Sequence, residues 1–350
     1  VIALWFLIVA NIALEESLAM SGAPNDPYLL DQWGWFEIRA DKAYASGHRG
    51  KGVVVAVLDT GVDPNHPDLK NSIIGGWNFV DDNNNKTDLD GHGTHVAGII
   101  AATASNGIGI AGVAPEAKIM PLKVITKSGG EWLDLDSAIL HAMENGADII
   151  TMSLGGKLSP KYALLTATIL SLAHNNVTLI AAAGNENVGS KVYPAAYRHV
   201  IAVSAIDQDR EKAVFSNYGS YVTLAAPGVN ILSTMPTYPC YLTTEYGISQ
   251  NYDYLNGTSM ACPFVTGVAA LLLSKYPNLT PQMIEDTLIA QAMDLGEEGW
   301  DPQFGYGEPD AYKAVTGTPI PEFAAMKTLV LTAVITLTIL TFKKLKSTIL

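Results

Sequence analysis

Four residues stand where polar chemistry would be placed at the ends of apolar runs: Asp59 after "VVVAVL", His92 in "DGHGTHVAG", Asn185 in "AAAGNE" and Ser259 in "NGTSMACP". Each alone has a plain structural reading: a polar strand terminus, a loop histidine, a turn residue after Gly184 and a helix N-cap. His92 and His95, three residues apart, also raise the question of a zinc pair. The H-E-x-x-H pattern carries a general-base Glu between its histidines, and Gly93-Thr94 supplies none. His95, one turn beyond His92, reads as a packing residue. Chemistry that uses Asp59, His92 and Ser259 together is nucleophilic. A serine hydroxyl attacks poorly until an imidazole takes its proton, and a carboxylate must hold that imidazole in the right tautomer. Gly91 and Gly93 let the backbone come close without side-chain obstruction.

The elements that must position these residues follow from the apolar pattern. Residues 52–58, 117–124, 147–154, 177–184 and 200–206 are short apolar runs that read as strands buried on both faces, hence parallel. Between them, "HVAGIIAAT", "WLDLDSAILHAMENG" and "YALLTATILSLAHNN" have helical periodicity, and two further helices are expected over 258–276 and 280–292. Alternation of this kind predicts a three-layer α/β/α fold around a central, mostly parallel sheet, in a single domain spanning 26–316. Sites in such sheets form at the carboxyl ends of strands, which is where Asp59 and Asn185 stand.

The 350 residues are 48% hydrophobic, enough for a large core, and carry a formal charge of -13. No positive field is available to hold nucleic acid. The first 14 residues, "VIALWFLIVANIAL", are almost wholly apolar and precede small residues at Ser17/Ala19 and Ser21/Ala23, so 1–23 reads as a signal peptide whose basic n-region is missing. A buried N-terminal helix is the alternative. The two cysteines, Cys240 and Cys262, make no disulfide framework. An exported location permits one bridge between them, although Cys262 lies in an apolar helix pattern where a free thiol is ordinary.

The order Asp…His…Ser at strand-to-helix junctions resembles the subtilisin-like serine proteases, thermitase-like members included. "VAVLDTGVDPNHPDL", "GHGTHVAG" and "GTSMACPFVTGVAALL" carry the resemblance, with "AAAGNE" and "SLGG" between them. It implies that Asp59 orients His92, that His92 takes the proton of Ser259, and that Ser259 attacks a peptide carbonyl. Asn185 would donate to the developing oxyanion, joined by the Ser259 backbone N–H at a helix N-terminus. The family carries a His after "SMA-x-P" where this chain has Phe264; that His is not catalytic. The signal-like segment runs almost straight into Asp26, leaving no room for a folding pro-region, so folding is expected to rely on calcium or on help in trans.

The resemblance also implies a substrate peptide added as a strand beside "SLGG". The pocket for the residue before the scissile bond, P1, would be lined by Ser153, Leu154, Gly155, Ala182, Ala183 and Gly184, with Val192 near its floor and Glu186 at its rim. A medium apolar P1 is expected, with acidic P1 repelled by Glu186. Calcium is the implied ion. Asp26, Asp68 and the loop "TASNGIGI" match the family's strong site, with Asn106 giving a side-chain oxygen and Ile108 and Ile110 carbonyls. The loop is one residue longer than the commonest version, which bears on the Thr103 carbonyl. Asp81 and Asn83 resemble a weaker second site, an Asn-rich turn being the alternative.

After the catalytic domain, 317–327 reads as a linker holding Pro321-Glu322-Phe323, 328–342 as a transmembrane segment and 343–350 as a basic cytoplasmic tail. Fifteen residues at 1.5 Å each span about 22 Å, so the apolar run reaches across the roughly 30 Å hydrocarbon core only if it extends back to Phe323 and Lys327 snorkels. Lys343, Lys344 and Lys346 place the C-terminus inside and the domain at the cell surface. "PEF", an apolar segment and a basic cluster resemble the sorting signals read by archaeosortases and exosortases, which would add a sortase-type processing enzyme as a partner beside polypeptide substrates; a plain tail anchor is the alternative.

Overall fold

The computed structural model describes residues 22–157, 160–174 and 176–319. The expected signal segment, the Pro321-Glu322-Phe323 motif, the apolar run 328–342 and the basic tail lie outside the described residues. Two short helices, α1 (Trp33–Glu37) and α2 (Ala40–Ala45), lead into β1 (Val54–Asp59). β2 (Trp77–Asn78) and α3 (His92–Ala101) follow, then β3 (Lys118–Lys123) and a small hairpin of β4 (Ile125–Thr126) and β5 (Gly129–Gly130). α4 (Trp132–Glu144), β6 (Ile149–Met152), α5 (Ala163–Ala173), β7 (Thr178–Ala182), β8 (Val200–Ile206) and β9 (Leu224–Pro227) continue the chain. A second hairpin, β10 (Ile231–Thr234) and β11 (Tyr252–Leu255), carries α6 (Tyr241–Glu245) on its connection. α7 (Thr258–Lys275), α8 (Pro281–Gln291) and α9 (Ala311–Thr316) come last.

The main sheet has the order β2-β3-β1-β6-β7-β8-β9, and every neighbouring pair is parallel. Each strand expected from an apolar run is present: β8 has the expected bounds, β3, β6 and β7 are shorter by one or two residues at each end, and β1 starts two residues later and runs one further, to Asp59. Alternation along β1 divides the core. Val55 and Val57 join the cluster formed with α3 and α7, whereas Ala56 and Leu58 join Leu135 and Ile139 of α4 and Leu170 of α5 on the other face. Both faces are therefore dry, as the unbroken apolar runs require. Burying each Ile or Leu of these clusters contributes about 1.5–3 kcal/mol.

β9 and both hairpins escape the apolar pattern. "LAAP" is too short to show a period, and the β11 residues are only partly buried. Of the described helices, α7 alone has the length and apolarity to cross a membrane, and most of it is buried against the sheet as a core helix. Cys240 and Cys262 are both buried and unbridged, so the permitted disulfide is not formed.

Candidate active site

β1 delivers Asp59 as its last residue, and the first residue of α3 is His92. The Asp59 carboxylate is fully buried; its Oδ1 accepts from the Thr60 N–H at 2.7 Å and from His92 Nδ1 at 2.7 Å, while Oδ2 has no partner. A carboxylate only accepts, so Nδ1 carries the proton and Nε2 is the nitrogen left uncommitted. Burial alone would lower the His92 pKa. The Asp59 charge and hydrogen bond, with Asp90 and Asp88 behind them, outweigh it and raise His92 to about 9. Gly91 sits at φ 115°, where a Cβ would stand 2.7 Å from Met235 and 3.0 Å from Cys240. At Gly93 a Cβ would lie 2.1 Å from the Gly61 carbonyl. Both glycines are close-approach positions, as expected. His95 is fully buried, pushed down to about 3 by that burial, and its Nε2 meets the Asp253 carbonyl at 3.2 Å. The two imidazoles thus have separate protein partners.

Ser259 is the second residue of α7, so its backbone N–H is one of the free donors of a helix start. Pro263 lies four residues on and has no N–H, so it leaves the Ser259 carbonyl without its helical partner. Ser153 Oγ fills that place, donating to the Ser259 carbonyl at 2.9 Å, and the Ser259 hydroxyl donates in return to the Ser153 carbonyl at 3.1 Å. In this rotamer the hydroxyl is turned to Ser153 and not to His92.

Thr258 orients Asn185. Its backbone N–H and its hydroxyl both donate to Asn185 Oδ1, at 2.8 and 3.0 Å, while Thr258 Oγ1 accepts from the Gly184 N–H at 3.1 Å. With its oxygen held this way, the Asn185 amide nitrogen is the group available to a ligand. Sequence reasoning missed Thr258. The available signal was its place at the start of a helix, where N–H groups need acceptors.

A cavity of about 450 Å³ opens beside Ser259 and Asn185, walled by Leu154, Gly155, Ala182, Gly184, Glu186 and Val192 among others. Gly155 packs closely on the far wall, since a Cβ there would stand 2.7 Å from a Val192 methyl and force it to shift. Ser153 and Ala183 stand behind this wall: Ser153 holds Ser259, and the Ala183 carbonyl accepts from Asn217 and Tyr221. Glu186 is tied down by the Asn185 N–H and by Asn217 Nδ2 at 2.7 Å. Lys157 and Lys191, which sequence reasoning did not single out, line the same cavity and oppose the expected repulsion of acidic residues. An apolar cavity of about 300 Å³ between β5 and Leu154–Gly156 adjoins it, lined by Ile125, Trp132, Leu135 and Tyr193.

The residues expected to hold calcium converge. Asp26 accepts backbone N–H bonds from Ser105, Asn106 and Gly107, and Asp68 from Ile110, with Asn106 Nδ2 and the Tyr252 hydroxyl also on Asp68. Both carboxyls are buried, without a Lys or Arg partner among the described residues, and burial raises both pKa values. The Ile108 and Ile110 carbonyls accept no backbone hydrogen bond among the described residues. A Cβ at Gly109 would stand 2.0 Å from Asp68 Oδ2, so only glycine lets this loop approach. Two buried carboxylates with free carbonyl oxygens fit a hard divalent cation, provided the Asn106 amide turns its oxygen inward. Thr103 reaches the site through its N–H, which donates to the Asp68 carbonyl. Asp81 and Asn83 sit together in a turn that bonds to itself: Asn78 Nδ2 donates to Asp81, and Asn83 bonds the Asp81 carbonyl and the Asn85 N–H.

The fold and this site define a parallel α/β protein with an Asp-held imidazole at one helix start and a serine at the start of another. Residues 50–307 match the model of the subtilase family, and the chain belongs to that family of serine proteases. It is 42% identical to thermitase of Thermoactinomyces vulgaris over 254 residues, 72% of this chain and 86% of the relative. It is 42% identical to subtilisin DY of Bacillus licheniformis over 276 residues, 77% of this chain and 93% of that one. A solved protease of Pseudoalteromonas arctica superposes with a TM-score of 0.75 at 33% identity, covering 84% of this chain and 98% of its own.

Proposed function

We propose that the chain is an exported endopeptidase that cleaves peptide bonds by an Asp59-His92-Ser259 triad with Asn185 as oxyanion donor. The observation that carries this reading is the 2.7 Å bond between buried Asp59 and His92 Nδ1, which leaves Nε2 free to act as the base for Ser259. Rotation of Ser259 about χ1 trades the Ser153 carbonyl for Nε2. The hydroxyl then attacks the scissile carbonyl as its proton passes to Nε2. The new oxyanion receives the Asn185 amide N–H and the Ser259 backbone N–H. The imidazolium, stabilised by Asp59, returns the proton to the leaving amine, and water repeats the sequence to free the acid. The peptide lies as a strand between β5 and Leu154–Gly156, with P1 in the cavity beside Ser259. Its apolar walls suit a medium apolar side chain.

Asp26, Asp68, Asn106, Ile108 and Ile110 would hold Ca²⁺, which ties the start of the domain to the 105–110 loop and takes no part in bond cleavage. Asp81 and Asn83 are the residues of a weaker second site. Export rests on the apolar start of the chain, and anchoring at the outer face of the membrane, with or without sortase processing at Pro321-Glu322-Phe323, on the apolar run 328–342 and the lysines after it.

The direction of the Ser259 hydroxyl favours one rival, an inactive surface module that binds peptides without cutting them. A serine-directed fluorophosphonate decides between the two. The wild type should be labelled and should hydrolyse peptides, Ser259→Ala should do neither while keeping its melting temperature, and Asn185→Ala should lose about 10²–10³ in kcat. That magnitude is the one known for such a donor in subtilisin, not one derived from this geometry. Turnover retained in Ser259→Ala rejects the mechanism.

A further inference from the structure

Asp88, four residues before His92, is fully buried and takes no part in the chemistry described above. Its carboxylate gathers five donors. Oδ1 accepts from Thr60 Oγ1 at 2.9 Å, from the Gly91 N–H at 2.8 Å and from the Asp90 N–H at 3.0 Å. Oδ2 accepts from the Thr94 N–H at 2.9 Å and from Thr94 Oγ1 at 2.7 Å. These donors come from both sides of the site. Thr60 follows Asp59 directly, and its hydroxyl also accepts the Gly93 N–H at 2.9 Å. Gly91 and Thr94 bracket His92. The connection between β10 and β11 braces the same loop: the Tyr238 hydroxyl donates to the Asp88 carbonyl at 3.0 Å, and the Tyr241 and Leu242 N–H groups donate to the carbonyls of Leu89 and Asp90.

We infer that Asp88 is a positioning residue for the catalytic pair, one buried carboxylate that locks the end of β1 to the start of α3 and so sets the Asp59–His92 contact. The inference rests on the triad reading. Hydrogen bonds to a charged acceptor are about twice as strong as neutral ones, so the anion holds this junction where a neutral side chain would hold it loosely. Its charge also faces His92. The titratable groups that act on that imidazole are Asp59 from β1, Asp90 and Asp88 from the loop and His95 from α3, while Tyr238 and Cys240 from the β10–β11 connection lie against Asp88. Asp59, Asp90 and Asp88 all favour the imidazolium.

Asp88→Asn and Thr60→Val test this, with Thr60→Ser as the conservative rescue and the wild type and Ser259→Ala run alongside. Asp88→Asn should lower kcat by about 10–10²-fold, the scale expected when a catalytic group is misplaced by about 1 Å. KM should stay within about twofold, since the peptide cleft is untouched. The acid limb of kcat/KM should move to lower pH, because one anion near His92 is gone. Thr60→Val should lower kcat with the limb unmoved, and Thr60→Ser should restore it. If Asp88→Asn does not fold, the Thr60 pair still reads the junction at a measurable melting temperature. An unmoved limb with unchanged kcat in Asp88→Asn, or equal losses in Thr60→Val and Thr60→Ser, overturns the inference. A wild type without activity, or an active Ser259→Ala, would instead overturn the triad reading on which it rests.

Discussion

His92 makes opposite demands on pH for activity and for stability. With His92 raised to about 9 by its carboxylate neighbours, the free enzyme carries an imidazolium at neutral pH and holds little of the base. kcat/KM should therefore climb about tenfold per pH unit and level off near 9, which a rate profile on a short peptide checks. A plateau already at pH 7 would mean that the Asp59 charge is not felt by the ring. Stability runs the other way. A histidine whose folded pKa exceeds its unfolded value of about 6.5 contributes fully below that value and loses the contribution as pH rises through about 9. Asp59, His92, Asn185 and Ser259 were all legible as residues, because their neighbours form recognisable motifs. Thr258 and Ser153 were not legible as the groups that hold Asn185 and Ser259, because each acts across more than 70 residues of sequence.

At the scale of elements, the 105–110 loop must approach Asp68 closely. In the Asp26/Asp68 site, two buried carboxyls without a cation raise the cost of folding, and an ion that binds only the folded chain stabilises it by RT ln(1 + [L]/Kd). Calcium should raise the melting temperature measured by calorimetry, and Asp68→Ala should remove most of that gain. Equal melting temperatures in calcium and in chelator would dismiss the site. α7 shows how one residue serves two elements. Pro263 looks like a helix breaker in a sequence that otherwise reads as a helix, yet the carbonyl it leaves open is the one that Ser153 Oγ occupies.

Across the whole molecule, burial rather than motif governs Glu308. It lies 1% exposed between Glu37 and Asp310, with both carboxylate oxygens unpartnered, and burial, then the Glu37 charge, raises it to about 8. Arg210 at 3.8 Å is nearer to Glu37 and does not offset this. A carboxyl with a raised folded pKa stabilises below its unfolded value of about 4.5 and loses that contribution as pH rises through about 8. Glu308→Gln should therefore gain melting temperature over wild type at pH 9 relative to pH 5; an equal difference at both pH values would show Glu308 to be solvated. The proposed export and anchoring are tested at the C-terminal end of the chain. If a sortase acts, intact mass should end near Pro321 to Phe323 and lack the lysines; if the tail is a plain anchor, Lys343 to Leu350 should persist in the membrane fraction. A full-length chain in the soluble fraction without detergent would reject both.

The amino-acid sequence by itself determined the α/β class and the strands of the sheet centre and pointed to the candidate site residues, because apolar runs buried on two faces and motifs at strand ends are local signals. Packing alone decided the short elements: β9, the hairpins and α6 have no period to read and exist through their partners. Tertiary structure also decided which way groups point. It turned the Ser259 hydroxyl to Ser153, fixed Asn185 through Thr258, put Lys157 and Lys191 beside Glu186 and left the two cysteines apart. Each of these depends on a hydrogen bond or a wall supplied from elsewhere in the chain. Proximity of that kind is set by the crossovers of a parallel sheet, not by neighbours in sequence.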